Sequence, residues 1–254
     1  MKVTLLGTGT SQGVPVIGCD CKVCHSSDAK DKRLRSSVMI EDDDTTIVID
    51  SGPDFRQQML RAKVLKLDGL VFTHEHKDHV AGMDDIRAFN YVLKRKIDVY
   101  ATKRVQEALH REFPYVFDDY KYPGIPQINM HTIDAQPFKI GTLTLIPIKV
   151  LHYRLPVLGF RVGDFTYITD ANYISEAEKS KIRGSEVLVL NSLRREPHVS
   201  HYTLDQAVKL ISDMNVDEGY LTHISHQLGK HNDLNNELPS NIKCAYDGMT
   251  IELG

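Results

Sequence analysis

The 254-residue chain has no apolar run of membrane-spanning length, no long basic block, no repeat of short period and only four cysteines. The first absence excludes a transmembrane helix, and residues 1–6 are too short for a secretory signal, so cytoplasmic residence is the expectation. With a net charge of −3, the second argues against a broad nucleic-acid surface. The third excludes solenoid architectures. Three of the cysteines crowd between Cys19 and Cys24, which argues for a metal site rather than a disulfide framework. What is present, 41% hydrophobic and 26% charged residues, suits one substantial core. Residues 1–254 therefore read as a single domain.

The most informative stretch is T-H-E-H-K-D-H at 73–79, directly after the apolar run at 69–72. It reads as a short buried strand ending in a loop of metal ligands. His74 and His76 alternate, so an extended backbone points both imidazoles the same way. Asp78 and His79 add an oxygen and a further nitrogen. Neutral imidazole and carboxylate suit zinc, manganese or iron. A histidine-rich surface turn is the competing reading, and the apolar strand feeding straight into the motif argues against it.

Cys19, Cys21 and Cys24 can converge on one tetrahedral zinc, with a fourth ligand from elsewhere. The segment 7–36 is long and poor in regular pattern; a metal would anchor it. Its glycine-rich start, residues 7–15, lacks the lysine of a phosphate-binding loop and no helix pattern follows, so it reads as a tight turn near the active site. Residues 30–35 are rich in charge and read as a solvated surface, from which Arg33 and Arg35 could reach an anionic substrate. Apolar strands read at 3–6, 37–40, 46–49, 97–100, 143–150, 157–162, 166–168, 186–192 and 219–222, with helices after Asp50, His79, Asp170 and His201. Thr203 reads as a helix N-cap, which sets His201 where backbone amides favour an anion. Cys244 alternates with apolar residues and reads as a packed thiol.

The H-x-H-x-D-H motif resembles the signature of the metallo-β-lactamase superfamily. The glycine-rich loop, C-x-C-x-x-C, the metal motif, T-H-I-S-H at 222–226, L-P-S at 238–240 and D-G-M at 247–249 together resemble the PhnP-like phosphodiesterases of the carbon–phosphorus lyase pathway, nearly end to end. The resemblance implies an α/β, four-layer αββα sandwich. It implies one divalent cation held by His74, His76 and His152, a second held by Asp78, His79 and His223, and Asp170 bridging them. Asp50 would support the metal loop by hydrogen bonding. His226 completes the structural zinc with the three cysteines. His201 takes the place of a phosphate-binding general acid and, with Asp78, is the catalytic candidate. Two cations, zinc or manganese, would bring hydroxide within reach at neutral pH.

The expected activity is hydrolysis of a small cyclic phosphodiester such as a phosphoribosyl cyclic phosphate, and relatives suggest a homodimer. The alternatives are an endonuclease of the tRNA 3′-end-processing type, for which no inserted basic arm is present, a thioester or lactone hydrolase, or a metal-binding protein without turnover. One departure stands out: Asn191 and Ser192 occupy a place where an acidic residue is expected.

Overall fold

The computed structural model describes residues 1–119 and 122–254; the sequence reads 113–127, rich in aromatic residues and proline, as a loop whose rings mostly pack, and Tyr120 of that stretch lies outside the described residues. One sheet contains β1 (Lys2–Gly7), β2 (Ser37–Asp42), β3 (Thr45–Ile49), β4 (Gly69–Val71), β5 (Ile97–Ala101) and β6 (Ile128–Thr132). The second contains β7 (Phe138–Ile140), β8 (Leu143–His152), β9 (Leu155–Val162), β10 (Phe165–Ile168), β11 (Tyr173–Ile174), β12 (Val187–Asn191), β13 (Glu218–Thr222) and β14 (Ile242–Cys244). The last strand, β15 (Met249–Glu252), returns to the first sheet and pairs antiparallel with β1. The helices are α1 (Phe55–Ala62), α2 (Lys77–Val80), α3 (Arg87–Leu93), α4 (Lys103–Glu112), α5 (Pro114–Phe117), α6 (Glu176–Ile182), α7 (Leu204–Met214) and α8 (His231–Glu237). No helix among the described residues is long and apolar enough to cross a membrane.

Period-2 alternation builds the layers. On β2, Val38 and Ile40 face the second sheet while Met39 faces the helices. On β12, Val187 and Val189 turn inward while Leu188 and Leu190 meet the other helical layer. Both sheets are thus apolar on both faces, which requires a layer on each side. The three resulting clusters are the sheet–sheet core around Phe160 and Tyr167, the α1–α3–α4 layer around Phe55 and Phe72, and the α6–α7–α8 layer around Ile211 and Leu234. This is the αββα sandwich.

β3, β4, β5 and β6 run parallel, as do β10, β12, β13 and β14. Ligand sites in such sheets lie beyond the carboxyl ends of the parallel strands. Asp50, His74, Asp170 and His223 all follow such ends. Three of these residues, Asp50 (φ 66), Asp170 (φ 54) and His223 (φ 53), adopt the left-handed backbone. Asp and His tolerate it better than most, and such outliers collect at functional sites.

The glycine-rich loop is structural. A Cβ on Gly7 would lie 1.9 Å from the Arg35 carbonyl oxygen, so only glycine lets the two backbones pass. Arg33 is not free for substrate, contrary to the sequence-based expectation. It is 3% exposed and donates to Thr8 Oγ1 (2.8 Å) and the Ala245 carbonyl (2.6 Å). Arg35 pairs with Asp54 at 3.1 Å. β6 escapes the sequence reading because it is an edge strand with little burial and therefore no alternation. β7 and β14 are too short to show a period.

Asp247 pins the loop. Its carboxylate accepts from Thr8 N (2.9 Å), Thr8 Oγ1 (2.8 Å) and Leu34 N (2.8 Å), and pairs with Arg61. Asp247→Ala strands buried donors and is expected to cost at least about 2 kcal/mol, read as a lower urea midpoint.

Candidate active site

Two carboxylates and a set of imidazoles from both sheets converge on one space that is buried at His74, His79, Asp170, His201 and His223 and opens to solvent at His76. In the loop after β4, the side chains of His74 and His76 come together, with ring centroids 4.6 Å apart. Glu75 between them points away and pairs with Arg104 on α4. His152, at the end of β8, brings its ring to 5.8 Å from His74 and 5.1 Å from His76. Asp78 Oδ2 and Asp170 Oδ2 lie 3.2 and 3.1 Å from His79 Nε2. His223 Nδ1 lies 3.3 Å from Asp170 Oδ2. Donor atoms of Asp78, His79, Asp170 and His223 all fall within 4.8 Å of one another, and so do those of His152, Asp170 and His201. His201 therefore stands at the same carboxylate as the predicted ligands, its Nδ1 3.9 Å from Asp170 Oδ1.

Asp50 organises the early half of the site. Its carboxylate accepts from Thr73 N (2.9 Å), Thr73 Oγ1 (2.8 Å) and His79 Nδ1 (2.6 Å). The bond to Nδ1 turns His79 Nε2 toward Asp78 and Asp170. The turn after Asp50 must lie flat against α2. Ser51 N donates to the His79 carbonyl at 2.8 Å, and a Cβ on Gly52 would sit 2.1 Å from the Asp78 carbonyl oxygen. Glycine there follows from close approach rather than from a turn.

The later half is held by residues that carry no motif. Asn191 Oδ1 accepts from Ala171 N (2.8 Å) and its Nδ2 donates to the Ala171 carbonyl (2.9 Å). The departure from an acidic residue at this place thus has a structural meaning: a carboxamide can bond both backbone groups of Ala171, whereas a carboxylate can bond only one. Thr169 Oγ1 donates to Asp170 Oδ2 at 2.6 Å. His152 Nδ1 donates to the Ser200 carbonyl at 2.9 Å. Ser36 Oγ donates to the Gly9 carbonyl and lies 3.1 Å from His223 Nδ1. Of these supports the sequence marks only Asn191, as a departure from an expected acidic residue.

Burial, together with neighbouring imidazoles, lowers His74 well below its ordinary value and also lowers His76; burial lowers His223 despite Asp170. Burial and His223 bring His201 down to about 3. Burial opposes ionisation of Asp170, but His223 and His79 outweigh it and hold the carboxyl well below its usual range. Asp78 is likewise held low by His79 against burial. His79 is the exception: despite burial, Asp78, Asp50 and Asp170 raise it well above the ordinary value. Ionised carboxylates beside neutral imidazoles are the protonation state of cation ligands. Buried His74 Nε2 also has no hydrogen-bond partner among the described residues. The residues present fit divalent cations of the zinc or manganese type.

A second cluster lies on the 7–36 loop. Cys19 Sγ and Cys21 Sγ sit 3.3 and 3.4 Å from His226 Nδ1, and with Cys24 the donor atoms lie within 4.8 Å of one another. Bonds of about 2.3 Å to sulfur and about 2.0 Å to nitrogen at tetrahedral angles give separations of this size. Cys21 is lowered to about 6, first by the Cys24 backbone N–H, which donates to its sulfur. Cys244 stays apart as a buried thiol in the α7–α8 layer.

Comparison with known proteins agrees with this geometry. Residues 45–224 match the beta-lactamase superfamily domain. The chain is 38% identical to the crystal structure of a diphosphatase from the PhnP family, with a TM-score of 0.93, covering 100% of this chain and 98% of that one. It is 40% identical over 252 residues to an octanoyltransferase of Porphyromonas gingivalis, covering 98% of this chain but only 51% of that protein, so it spans about half that relative's length. Zinc-bound PqqB from Methylobacterium extorquens, 17% identical, shares the fold with a TM-score of 0.81 and full coverage of both chains.

Two substitutions test the architecture. Cys21→Ser is expected to remove about one equivalent of zinc and lower the thermal midpoint; unchanged metal content by elemental analysis would refute the structural site. Asn191→Asp sets a carboxylate oxygen against the Ala171 carbonyl and is expected to weaken metal retention about 10- to 100-fold, measured by competition with a chelator.

Proposed function

The chain belongs to the metallo-β-lactamase superfamily and to its PhnP family, and on that premise we propose that it is a hydrolase of small phosphodiesters, with a cyclic ribose phosphate as the model substrate. The observation that carries this reading is His201, an imidazole beside Asp170 and His152 that belongs to neither of the two predicted ligand triads.

His74, His76 and His152 would hold one cation, Asp78, His79 and His223 the other, with Asp170 shared. Bound there, divalent cations supply Lewis acidity: they neutralise phosphate oxygens and bring the pKa of water to roughly 7. The chain's own residues do the rest. Asp50 holds His79 in one orientation through its Nδ1–H. Asn191 and Thr169 hold Asp170 in its left-handed turn. His201 donates a proton to the leaving oxygen. Burial keeps its imidazole neutral in the free site, and the negative charge of an arriving diester favours its protonation. The proton and the substrate thus arrive together. The capping box of α7, with Thr203 accepting from Gln206 N and Gln206 Oε1 accepting from Thr203 N, fixes the backbone on which His201 stands.

Two variations of substrate have support. A diphosphate bond presents the same non-bridging oxygens, and the 38% identical relative is a diphosphatase. An acyl thioester is favoured only by the octanoyltransferase match, of which this chain accounts for half.

A panel of bis-p-nitrophenyl phosphate, nucleoside 2′,3′-cyclic phosphates, a dinucleoside diphosphate, an octanoyl thioester and pre-tRNA separates these readings. Cleavage of phosphate substrates is expected. Thioester cleavage without any phosphoester or anhydride cleavage would sink the proposal. His201→Ala is expected to lower kcat by roughly 10²- to 10⁴-fold with full metal content; loss of metal would make His201 a ligand instead.

A further inference from the structure

Of the histidines that belong to neither the site nor the cysteine cluster, His110 stacks on Phe117, His131 pairs with Asp98 and His231 is bound by Asn235. His198 differs from these. Its ring meets the ring of His201, with centroids 5.1 Å apart and planes tilted by 38°. It is half-buried.

The loop that carries His198 is built to keep its shape. Leu193 N donates to the Tyr202 carbonyl and Leu204 N to the Arg194 carbonyl, each at 3.1 Å, so the two ends of the 194–203 loop lie together. Closed surface loops of this kind often carry function. One guanidinium ties the loop to itself. Arg194 donates to the carbonyls of Glu196 (3.2 Å) and Pro197 (2.8 Å) and to Gln227 Oε1 (3.3 Å).

Ser200 then fixes the imidazole. His198 Nδ1 accepts from Ser200 N at 3.3 Å and lies 3.2 Å from Ser200 Oγ. A backbone N–H can only donate, so Nδ1 is the acceptor and the neutral ring carries its proton on Nε2. The only hydrogen bonds of this ring among the described residues are those at Nδ1. The carbonyl of the same Ser200 accepts from His152 Nδ1 at 2.9 Å. One residue thus fixes His198 and His152 relative to each other. The rings follow in a row, His198 to His201 at 5.1 Å and His201 to His152 at 4.5 Å. A donor N–H with a fixed tautomer and no acceptor, one ring away from the group that gives up the proton, suits an oxygen of the substrate.

We propose that His198 is a substrate-binding residue of this site: its Nε2–H donates to a non-bridging oxygen of the reacting phosphate, on the side where His201 protonates the leaving group. The competing role is that of a brace, which would hold Ser200, and through it His152, by Nδ1 alone. The inference rests on the phosphodiester reading of the site, so its test measures binding apart from turnover.

Two amide side chains separate the roles. Asparagine reaches the place of Nδ1, so it keeps the acceptor for Ser200 and removes the Nε2–H. Glutamine reaches the place of Nε2, so it keeps that donor and leaves Ser200 N unpaired. Calorimetry on the metal-loaded protein uses inorganic phosphate as the probe, and turnover uses bis-p-nitrophenyl phosphate. His198→Asn is expected to weaken phosphate binding roughly tenfold and to raise KM by a similar factor with kcat near the wild-type value, while metal content and thermal midpoint stay unchanged. His198→Gln is expected to recover most of the lost affinity. The opposite order, with His198→Asn binding as the wild type does and His198→Gln weakened, makes His198 a brace and overturns the proposal. So does loss of metal from His198→Asn, or a wild type that binds no phosphate. If the wild type hydrolyses diesters and neither variant shifts phosphate binding, the contact fails and the phosphodiester reading stands. If binding shifts as expected but no phosphate substrate is hydrolysed, the catalytic reading fails and the contact stands.

Discussion

Burying Asp78 and Asp170 side by side is the constraint from which the rest of the site follows. Isolated carboxylates leave water at a cost of several kcal/mol each unless positive charge meets them. No lysine or arginine pairs with either one among the described residues; their close partners are His79 and His223, with His201 further off. Most of the surrounding imidazoles are held neutral by burial. Asp78, Asp50 and Asp170 raise His79 well above its ordinary value, and cations held in this space would supply the positive charge in place of that proton. The fold therefore has an energetic reason to hold metal that is independent of catalysis.

That constraint also explains where strain and support are placed. Asp50, Asp170 and His223 end parallel strands with left-handed backbone, which turns each chain off the sheet at the layer where the two sheets' edges meet. The turn positions are then over-determined by hydrogen bonds: Asp50 by Thr73 and His79, the residue after Asp170 by Asn191, and the segment after His223 by Ile224 N donating to the Thr8 carbonyl. Strain of this kind persists only where neighbouring structure fixes it.

Much of this is legible in the sequence, for physical reasons. The four layers follow from strands apolar on both faces, such as β3 and β12, and from helices with one apolar stripe, such as α7. The 73–79 motif announces ligands because a strand and a histidine-rich turn abut. His152, Asp170 and His223 are different: each is a lone polar residue at a strand end, and only the resemblance to a family singled them out. Arg33 shows the limit most plainly. A cation in a charged stretch reads as solvent-facing, yet its side chain runs under the glycine-rich loop to Thr8 and Ala245. Partners 25 and 212 residues away along the chain leave no local pattern. Asn191 is a parallel case: its residue type looked like a departure, and its two bonds to Ala171 give that type a reason.

The cysteine cluster is better understood as part of the catalytic architecture than as a separate anchor. His226 and His223 lie on one short segment after β13. That segment is bound at Ile224 to Thr8 and at Ser225 N to the Leu193 carbonyl. Thr8 is in turn held by Asp247 and Arg33, and Ser36, at the far end of the same loop, contacts His223. A zinc held by Cys19, Cys21, Cys24 and His226 would therefore close a ring of contacts that contains His223, a predicted ligand of the candidate active site. Loosening the loop would loosen Thr8 and Ser36 as well, and with them the 223–226 turn and the left-handed backbone of His223. On this argument the long irregular segment at 7–36 is the outer support of the His223 position.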